Sequence, residues 1–460
     1  MGLRALRRRG RVKQEASGAN AGQENVRVLV VGAGGREHAL CWALKRDTPD
    51  ADLFTTPGNP GTAQLGTNLK IPATAADDIV AAVREHRIDL TIVGPEAPLA
   101  AGLADRLRAA GRAVFGPSRD AARIESSKAF AKDVMQRAGV PTAASRSFDA
   151  LDPALAFIRG HAEPLVVKAS GLAAGKGVLV CATRDEAARA ARALLADGAL
   201  GEAGREIVVE EFLEGEELSL LALTDGERIV TLPAAQDHKR LGDGDTGPNT
   251  GGMGAYCPVS LATPELVARA RHQVLEPTLR ALAARGAPYA GVLYAGLMIA
   301  PPPDGTPYVL EFNCRFGDPE AQALLPVLPG VTGHLAEIAA GGWRPREEAL
   351  APSRAAVATV LAARGYPEKP ELGAAIIVPR DLEAGTLVFH AGTYRDPDGA
   401  LRVQGGRVLT VSGLGETVAD AAQRGADACE LIAFEGKTYR RDIAWRELGR
   451  GGRRAGAARG

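Results

Sequence analysis

Short apolar runs closed by glycine or proline turns recur along the first third of the chain and predict the buried strands of an open parallel sheet. The run Val26–Val31 leads into GAGGREHAL, Gly32–Leu40, where a glycine turn passes into the start of a helix. TTPGNPGTA, Thr55–Ala63, and IDLTIVGPEAPLA, Ile88–Ala100, repeat the pattern of strand and then turn. Phe115–Pro141 reads as a strand end and two short amphipathic helices, the second stopped by Pro141. Val166–Val180, VVKASGLAAGKGVLV, predicts strand, glycine-rich turn, strand, with an alanine-rich helix over Asp185–Leu195 packed behind it. Val208–Leu220 predicts a strand with acidic residues toward its end. Ala234–Tyr256 is polar and glycine-dense, a long loop of the kind kept for function. In Tyr308–Glu320 the period of two puts Glu311 and Asn313 on one strand face and Leu310 and Phe312 on the other. Beyond Trp343, short strands and one late helix, Thr417–Glu430, predict a small α+β, barrel-like domain.

A chain of 460 residues is too long for one core and divides into roughly three domains at ~150 residues each. The formal charge is zero and the pI about 7.1, which offers no electrostatic footprint for nucleic acid or an anionic membrane, so the partner is a small molecule. No apolar run approaches the ~20 residues of a membrane span. The five cysteines are scattered without a CxxC pair, which suggests neither a zinc site nor a disulfide framework and fits a reducing cytosol. The arginine-rich start lacks the apolar core of a secretory signal; a nucleic-acid arm or an organelle presequence is the alternative to the favoured reading, a disordered extension over 1–25 or the product of an upstream start codon.

Against this background the glycine-rich hairpin is chemically distinctive. Gly171, Gly175 and Gly177 let the backbone approach an anion, while Lys168 and Lys176 supply ammonium charge, so the ligand is a polyphosphate. No GxxxxGK[ST] loop occurs. Only ten of the 55 basic residues are lysines, and four of them, Lys128, Lys168, Lys176 and Lys239, fall in or beside candidate site motifs. Near the start, a dinucleotide fingerprint requires glycine where Glu37 stands, and a carboxylate there repels a pyrophosphate. That weakens the alternative of an NAD-binding oxidoreductase. Gly34, Gly35, Arg36, Asn59 and Glu96 lie after successive strands, where open α/β sheets bind ligands, and are candidates to line a second substrate. Glu311 and Asn313 are hard oxygen donors suited to Mg²⁺, and Arg315, two residues on, suits a carboxylate. In the long loop, Asp237, His238, Lys239 and Arg240 are charged or titratable groups for phosphates and an incoming amine. His238 reads equally as a general base or an exposed polar side chain.

The hairpin, VVEEFLEGEELSL, DTGPNTGGMGAY and YVLEFNCRFGDPE, in this order, resemble the ATP-grasp ligases. The last two, with VVGAGGREHAL, resemble more narrowly the glycinamide ribonucleotide synthetase family, from about Val26 to about Arg446. The resemblance implies an N-terminal open parallel α/β domain over 26–125, a two-subdomain ATP-grasp core over 126–345, a C-terminal domain over 346–446 and a disordered tail over 447–460. It implies ATP with Mg²⁺ or Mn²⁺ as cofactors, glycine and 5-phosphoribosylamine as substrates, and a cytoplasmic monomer without nucleic acid or membrane. Lys128, of the SKAF motif, then reaches an ATP phosphate beside Lys168, Lys176, Gly175 and Gly177; Glu210, Phe212 and Leu213 flank adenine, and Glu217 accepts the ribose. Asp237 joins Lys168 and Arg315 as catalytic, Glu311 and Asn313 hold the metal, and Lys239 and Gly252 join the substrate residues. Two positions depart from the family pattern: Ser170, where aspartate is expected, and Ala444, where glycine is expected. Another ATP-grasp ligase or carboxylase acting on a related ribotide shares everything up to the metal strand.

Overall fold

The structure is a computed structural model that describes residues 25–173 and 176–450. The extension before Asn25, the last ten positions and the site candidate Gly175 lie outside the described residues. Val28–Val31 are completely buried, as the continuous apolar run requires, and Arg27–Gly32 forms the central strand of a parallel sheet. The strand order is Thr67–Asn68, Asp52–Pro57, Arg27–Gly32, Leu90–Val93, Ala113–Phe115. The direction of winding reverses between Arg27–Gly32 and Leu90–Val93, so a crevice opens at their carboxyl ends. Helix Gly35–Asp47 starts at that crevice.

Two antiparallel sheets follow. One, the hairpin sheet, is ordered Ser145–Phe148, Ile207–Glu211, Leu165–Ala169, Val178–Cys181. Helices Leu151–Arg159 and Arg184–Leu195 cover it around a core containing Ile158, Val167, Ala191 and Val209. The other, the base sheet, is ordered Ile229–Thr231, Glu216–Thr224, Gly291–Ile299, Pro307–Asn313. The expected single strand over Val208–Leu220 is therefore two strands in different sheets. The chain crosses between the sheets at Phe212–Gly215. Gly215 has φ +156°, and a Cβ there would stand 2.3 Å from the Ile299 carbonyl oxygen, so only glycine passes. A bulge also breaks the expected alternation in Pro307–Asn313: Val309 pairs with Leu297 and Glu311 with Gly296, leaving Leu310 between them.

The fourth sheet interleaves distant parts of the chain. Its order is Gln236–Asp237, Gly254–Cys257, Ala355–Ala362, Arg407–Gly415, Thr386–His390, with helix Val418–Leu431 against it. The long glycine-rich loop thus supplies two strands to the C-terminal sheet and forms a small hairpin, Arg240–Gly242 with Thr246–Asn249, between them. The sheet is open, its two outer strands unpaired with each other. Among the described residues no helix is long and apolar enough to cross a membrane.

Candidate active site

A cavity of about 370 Å³ lies where the hairpin sheet, the base sheet and the N-terminal crevice meet. Its first wall carries lysines. Lys168 comes from the middle of the hairpin sheet, and Lys128 and Lys132 stand four apart on helix Lys128–Ala138, hence on one face. Glu210 lies between two of them, with Oε2 2.6 Å from Lys132 Nζ and Oε1 paired to Lys168. Lys168 also donates to the bulged Leu310 carbonyl at 3.0 Å, and Lys132 to Thr142 Oγ1 at 2.8 Å. Burial, with Lys168 adding to it, lowers the Lys128 and Lys132 ammoniums below their ordinary range. Ser170 has a task here: its carbonyl accepts from Lys128 N at 2.8 Å and its hydroxyl from Ala129 N at 3.1 Å, holding the helix start that bears Lys128.

The floor is acidic. Glu311 and Asn313 reach it from the bulged strand, Asp237 from the interleaved sheet, and Glu320 from the helix that starts there. Tyr294 Oη donates to Glu320 at 2.6 Å and Lys239 Nζ to Glu217 at 2.5 Å. Burial, with Glu320, Glu217 and Glu311 working against Lys239, pushes the Asp237 carboxyl up to about 7. Burial opposes ionisation of Glu311 as well, but Lys239, Lys128 and Lys168 hold it below the usual carboxylate range. Lys239, despite its burial, is held well above its ordinary value by Glu217, Asp237 and Glu311. Among the described residues no three His, Cys, Asp or Glu side chains form a self-sufficient metal cage. The Glu311 carboxylate and the Asn313 amide oxygen, in a floor crowded enough with negative charge to lift Asp237, suit a hard divalent cation that completes its shell with phosphate and water.

The far end carries guanidiniums. Arg315 is gripped by carboxylates of the N-terminal domain, Nε 3.3 Å from Glu96 and Nη2 2.9 Å from Glu125, and these raise its affinity for its proton against the effect of burial. Arg407 enters from the C-terminal sheet and donates to the Gly251 and Asp318 carbonyls, each at 2.6 Å. Arg36 donates to Glu37 at 2.6 Å and to the Phe316 carbonyl at 3.2 Å. The other Glu37 oxygen accepts from Gly34 N at 2.7 Å. The carboxylate at the third-glycine position therefore fills the turn where a dinucleotide pyrophosphate would dock.

Of the residues expected from sequence, Arg36, Glu96, Lys128, Lys168, Gly177, Asp237, Lys239, Glu311, Asn313 and Arg315 line this one cavity. Others stand back from its walls. Asn59 Nδ2 donates to the Ala33 and His390 carbonyls at 2.9 and 2.8 Å, and its Oδ1 accepts from Gly61 and Thr62. It clamps the first domain to the last. Glu210 faces two lysines from behind, and Glu217 holds Lys239. A Cβ on Gly35 would meet Gln322 and one on Gly252 would meet Pro319, each at 2.5 Å, so these glycines serve close packing. Gly34 gives its N–H to Glu37. Phe212 is 40 % exposed at the crossing between sheets, Leu213 follows it half-buried, and Lys176 is exposed on the hairpin. His238 is buried and accepts the Ala444 N–H at Nε2, which takes it out of the pool of general bases. Glu125, Lys132, Asp318, Glu320 and Arg407 line the cavity although the sequence reading assigned them nothing. Lys132 shares the Lys128 helix face, a spacing that could have found it, whereas Glu125 stands on the preceding helix, Arg119–Ser126, across the extended Ser127, and no such spacing marks it.

Three family models match the chain in succession. They are described as phosphoribosylglycinamide synthetase N domain over 26–125, ATP-grasp (A) domain over 126–321 and C domain over 356–446. A phosphoribosylamine–glycine ligase of Vibrio cholerae is 46 % identical over 428 residues, 92 % of this chain and 99 % of that protein. The crystal structure of a phosphoribosylamine–glycine ligase from Thermotoga maritima superposes with a TM-score of 0.80 at 37 % identity, covering 91 % of this chain and all of that one. The biotin carboxylase domain of a Hydrogenobacter thermophilus 2-oxoglutarate carboxylase, crystallised with MgADP, ADP and bicarbonate, shares the fold with a TM-score of 0.70 at 19 % identity, covering 91 % of this chain and 92 % of that one.

Proposed function

Because this chain belongs to the phosphoribosylglycinamide synthetase family, we propose that it is an ATP-dependent ligase joining glycine to 5-phosphoribosylamine, with glycinamide ribonucleotide, ADP and phosphate as products. The observation that carries the reading is the segregation of charge in one cavity, lysines at one wall, carboxylates on the floor and guanidiniums at the far end. A triphosphate fits the first, and the anionic ends of an amino acid and a sugar phosphate fit the last.

In this reading the glycine carboxylate takes the terminal phosphoryl group of ATP; the bond to the ADP oxygen breaks and an acyl phosphate forms. The sugar amine then attacks the acyl carbon, and the carbon–nitrogen bond forms as phosphate leaves. Lys128 and Lys168 offset the charge on the transferring group, the term that usually dominates such catalysis. Arg315, fixed by Glu96 and Glu125, presents its remaining N–H groups to the glycine carboxylate. Asp237, with its carboxyl near 7, is poised to receive the proton the amine loses. Glu311 and Asn313 would hold Mg²⁺ or Mn²⁺, which when bound offsets phosphate charge. Phe212, exposed at the crossing between sheets, and Leu213 would flank the adenine. The reading includes a monomer acting on small molecules, and the five cysteines, free and buried, fit a cytoplasmic location. The test is ADP release in a substrate screen: activity requiring both glycine and phosphoribosylamine is expected, and AMP as product, or full activity without glycine, refutes the proposal.

A further inference from the structure

We infer that the carboxyl-terminal segment Arg440–Arg446 is a brace that sets Asp237 and Lys239 against the cavity, with His238 as its positioning residue. This deepens the ligase reading and rests on it. Successive residues of an extended chain face opposite ways, and while Asp237 and Lys239 line the cavity, His238 between them turns into the protein. Its Nε2 accepts the Ala444 N–H at 3.0 Å. The ring proton must then sit on Nδ1, which faces Asp245 Oδ1 at 3.9 Å. Asp245 is held by Arg440 Nη1 at 2.7 Å and by Arg446.

Arg440 has a completely buried side chain. It grips Asp442 with two parallel bonds of 2.7 Å, and its Nη1 also reaches the Arg240 carbonyl at 3.2 Å. Backbone bonds close the stitching: Gly244 N donates to Asp442 at 2.9 Å and Arg441 N to Asp243 at 2.9 Å. The segment therefore locks the Arg240–Asn249 hairpin on one side and His238 on the other. Ala444 adopts φ +71°, a left-handed conformation that L-residues rarely keep, and it is completely buried there. That conformation turns its N–H toward His238. It also explains why the family pattern favours glycine at this position.

On the cavity side, the backbone around Lys239 is tied to the strand after the loop: Met253 N donates to the His238 carbonyl at 2.7 Å, His238 N to the Gly254 carbonyl at 2.9 Å, and Thr250 N and Oγ1 to the Lys239 carbonyl at 2.8 and 2.9 Å. The imidazole ties that backbone to the 440–446 segment as well, through the Ala444 N–H. Losing its acceptor nitrogen leaves the Ala444 N–H unpaired and frees Asp237 and Lys239 to shift together. Displacements of about 1 Å cost on the order of 10²-fold in rate.

The experiment uses the full-length protein. ADP formation is measured with His238→Ala, with His238→Gln, whose amide oxygen can reach the Ala444 N–H, and with each in a Lys239→Met background. His238→Ala should lower kcat by roughly 10- to 100-fold and leave the KM for ATP within about 2-fold. Glutamine should recover most of the loss. In the Lys239→Met background the alanine change should cost clearly less than in the wild type, because one of the two positioned groups is gone and only the loss through Asp237 remains. A folded His238→Ala enzyme with kcat within about 2-fold of wild type overturns the proposal, as do equal losses in both backgrounds or glutamine no better than alanine. Should His238→Ala fail to fold, Arg446→Met decides: a several-fold lower kcat supports the brace and an unchanged kcat overturns it. A wild type that forms no ADP overturns the ligase reading itself, which separates the two failures.

Discussion

Replacing Glu210 with glutamine keeps the shape of the side chain and removes the only charge that stands between Lys132 and Lys168. The three side chains are almost completely buried, 3 % exposed for Glu210, 6 % for Lys132 and 8 % for Lys168. At an effective dielectric constant of ~20, each ion pair at roughly 4 Å is worth about 4 kcal/mol before desolvation. Two such pairs are lost, and the repulsion between the two ammoniums, already present, is left uncompensated. Residual hydrogen bonding by the amide oxygen returns about 1 kcal/mol for each lysine. Glutamine also escapes the desolvation penalty of the buried carboxylate, which offsets a further part, so the net expectation is a loss of about 3–5 kcal/mol, the usual scale for stranding a buried charge. Urea unfolding at neutral pH reads it as a fall in midpoint at unchanged slope. Adding Lys132→Met removes one stranded ammonium, so the double variant should be more stable than Glu210→Gln alone by about 1–2 kcal/mol. A loss below about 1 kcal/mol, or a double variant less stable than the single, refutes the account of Glu210 as a shared counter-ion.

Lys168→Met should lower turnover by about 10²-fold or more, the scale of one electrostatic donor, and ADP formation near the wild-type rate would make the glycine hairpin structural only. Glu311→Gln should raise the Mg²⁺ requirement and lower turnover with little change in melting point; an unmoved Mg²⁺ titration with a sharply lower melting point would make Glu311 a structural partner. Asp237 titrates near 7 in the folded chain and near 4 in the unfolded one, so the folded state holds the extra proton between those values. The stability this group contributes is full below about pH 4 and is lost as pH rises through about 7. The melting-point advantage of Asp237→Asn over wild type should therefore widen from about pH 5 to about pH 7 and then level off; a difference constant with pH contradicts it.

What was legible in the chain was what short-range patterning controls. Val28–Val31 announce a strand buried on both faces, and Lys168 and Glu311 stand on strands whose apolar runs are plain in the sequence, so the N-terminal sheet and the strands behind two walls of the cavity follow from local sequence. The division of Val208–Leu220 between two sheets was hidden, because only Gly215 marks the crossing and its need for glycine comes from the Ile299 carbonyl far along the chain. The bulge at Leu310 was likewise invisible, although it delivers the carbonyl that Lys168 grasps. Asn59 and Glu210 were read as ligand groups because both are polar and stand in or beside motif loops. Their actual partners, His390 for one and two lysines for the other, are long-range contacts that no local pattern encodes. Arg407 belongs to the same class, since its strand carries no mark of the cavity it reaches.

The interleaved sheet bears on how the protein is made. Gly254–Cys257 leaves the ribosome well before Ala355–Ala362, the strand that lies beside it, with roughly a hundred residues of synthesis between them. At ~5–20 residues per second, that strand waits on the order of 5–20 seconds for its neighbour. During that interval Met253, Ala255, Tyr256 and Cys257, all completely buried in the finished molecule, lack the cover of their later neighbours. The middle of the chain cannot mature as a closed unit while its successor is still inside the translating ribosome, and a nascent chain stalled near position 345 is the one in which chaperone capture at 253–257 should be greatest.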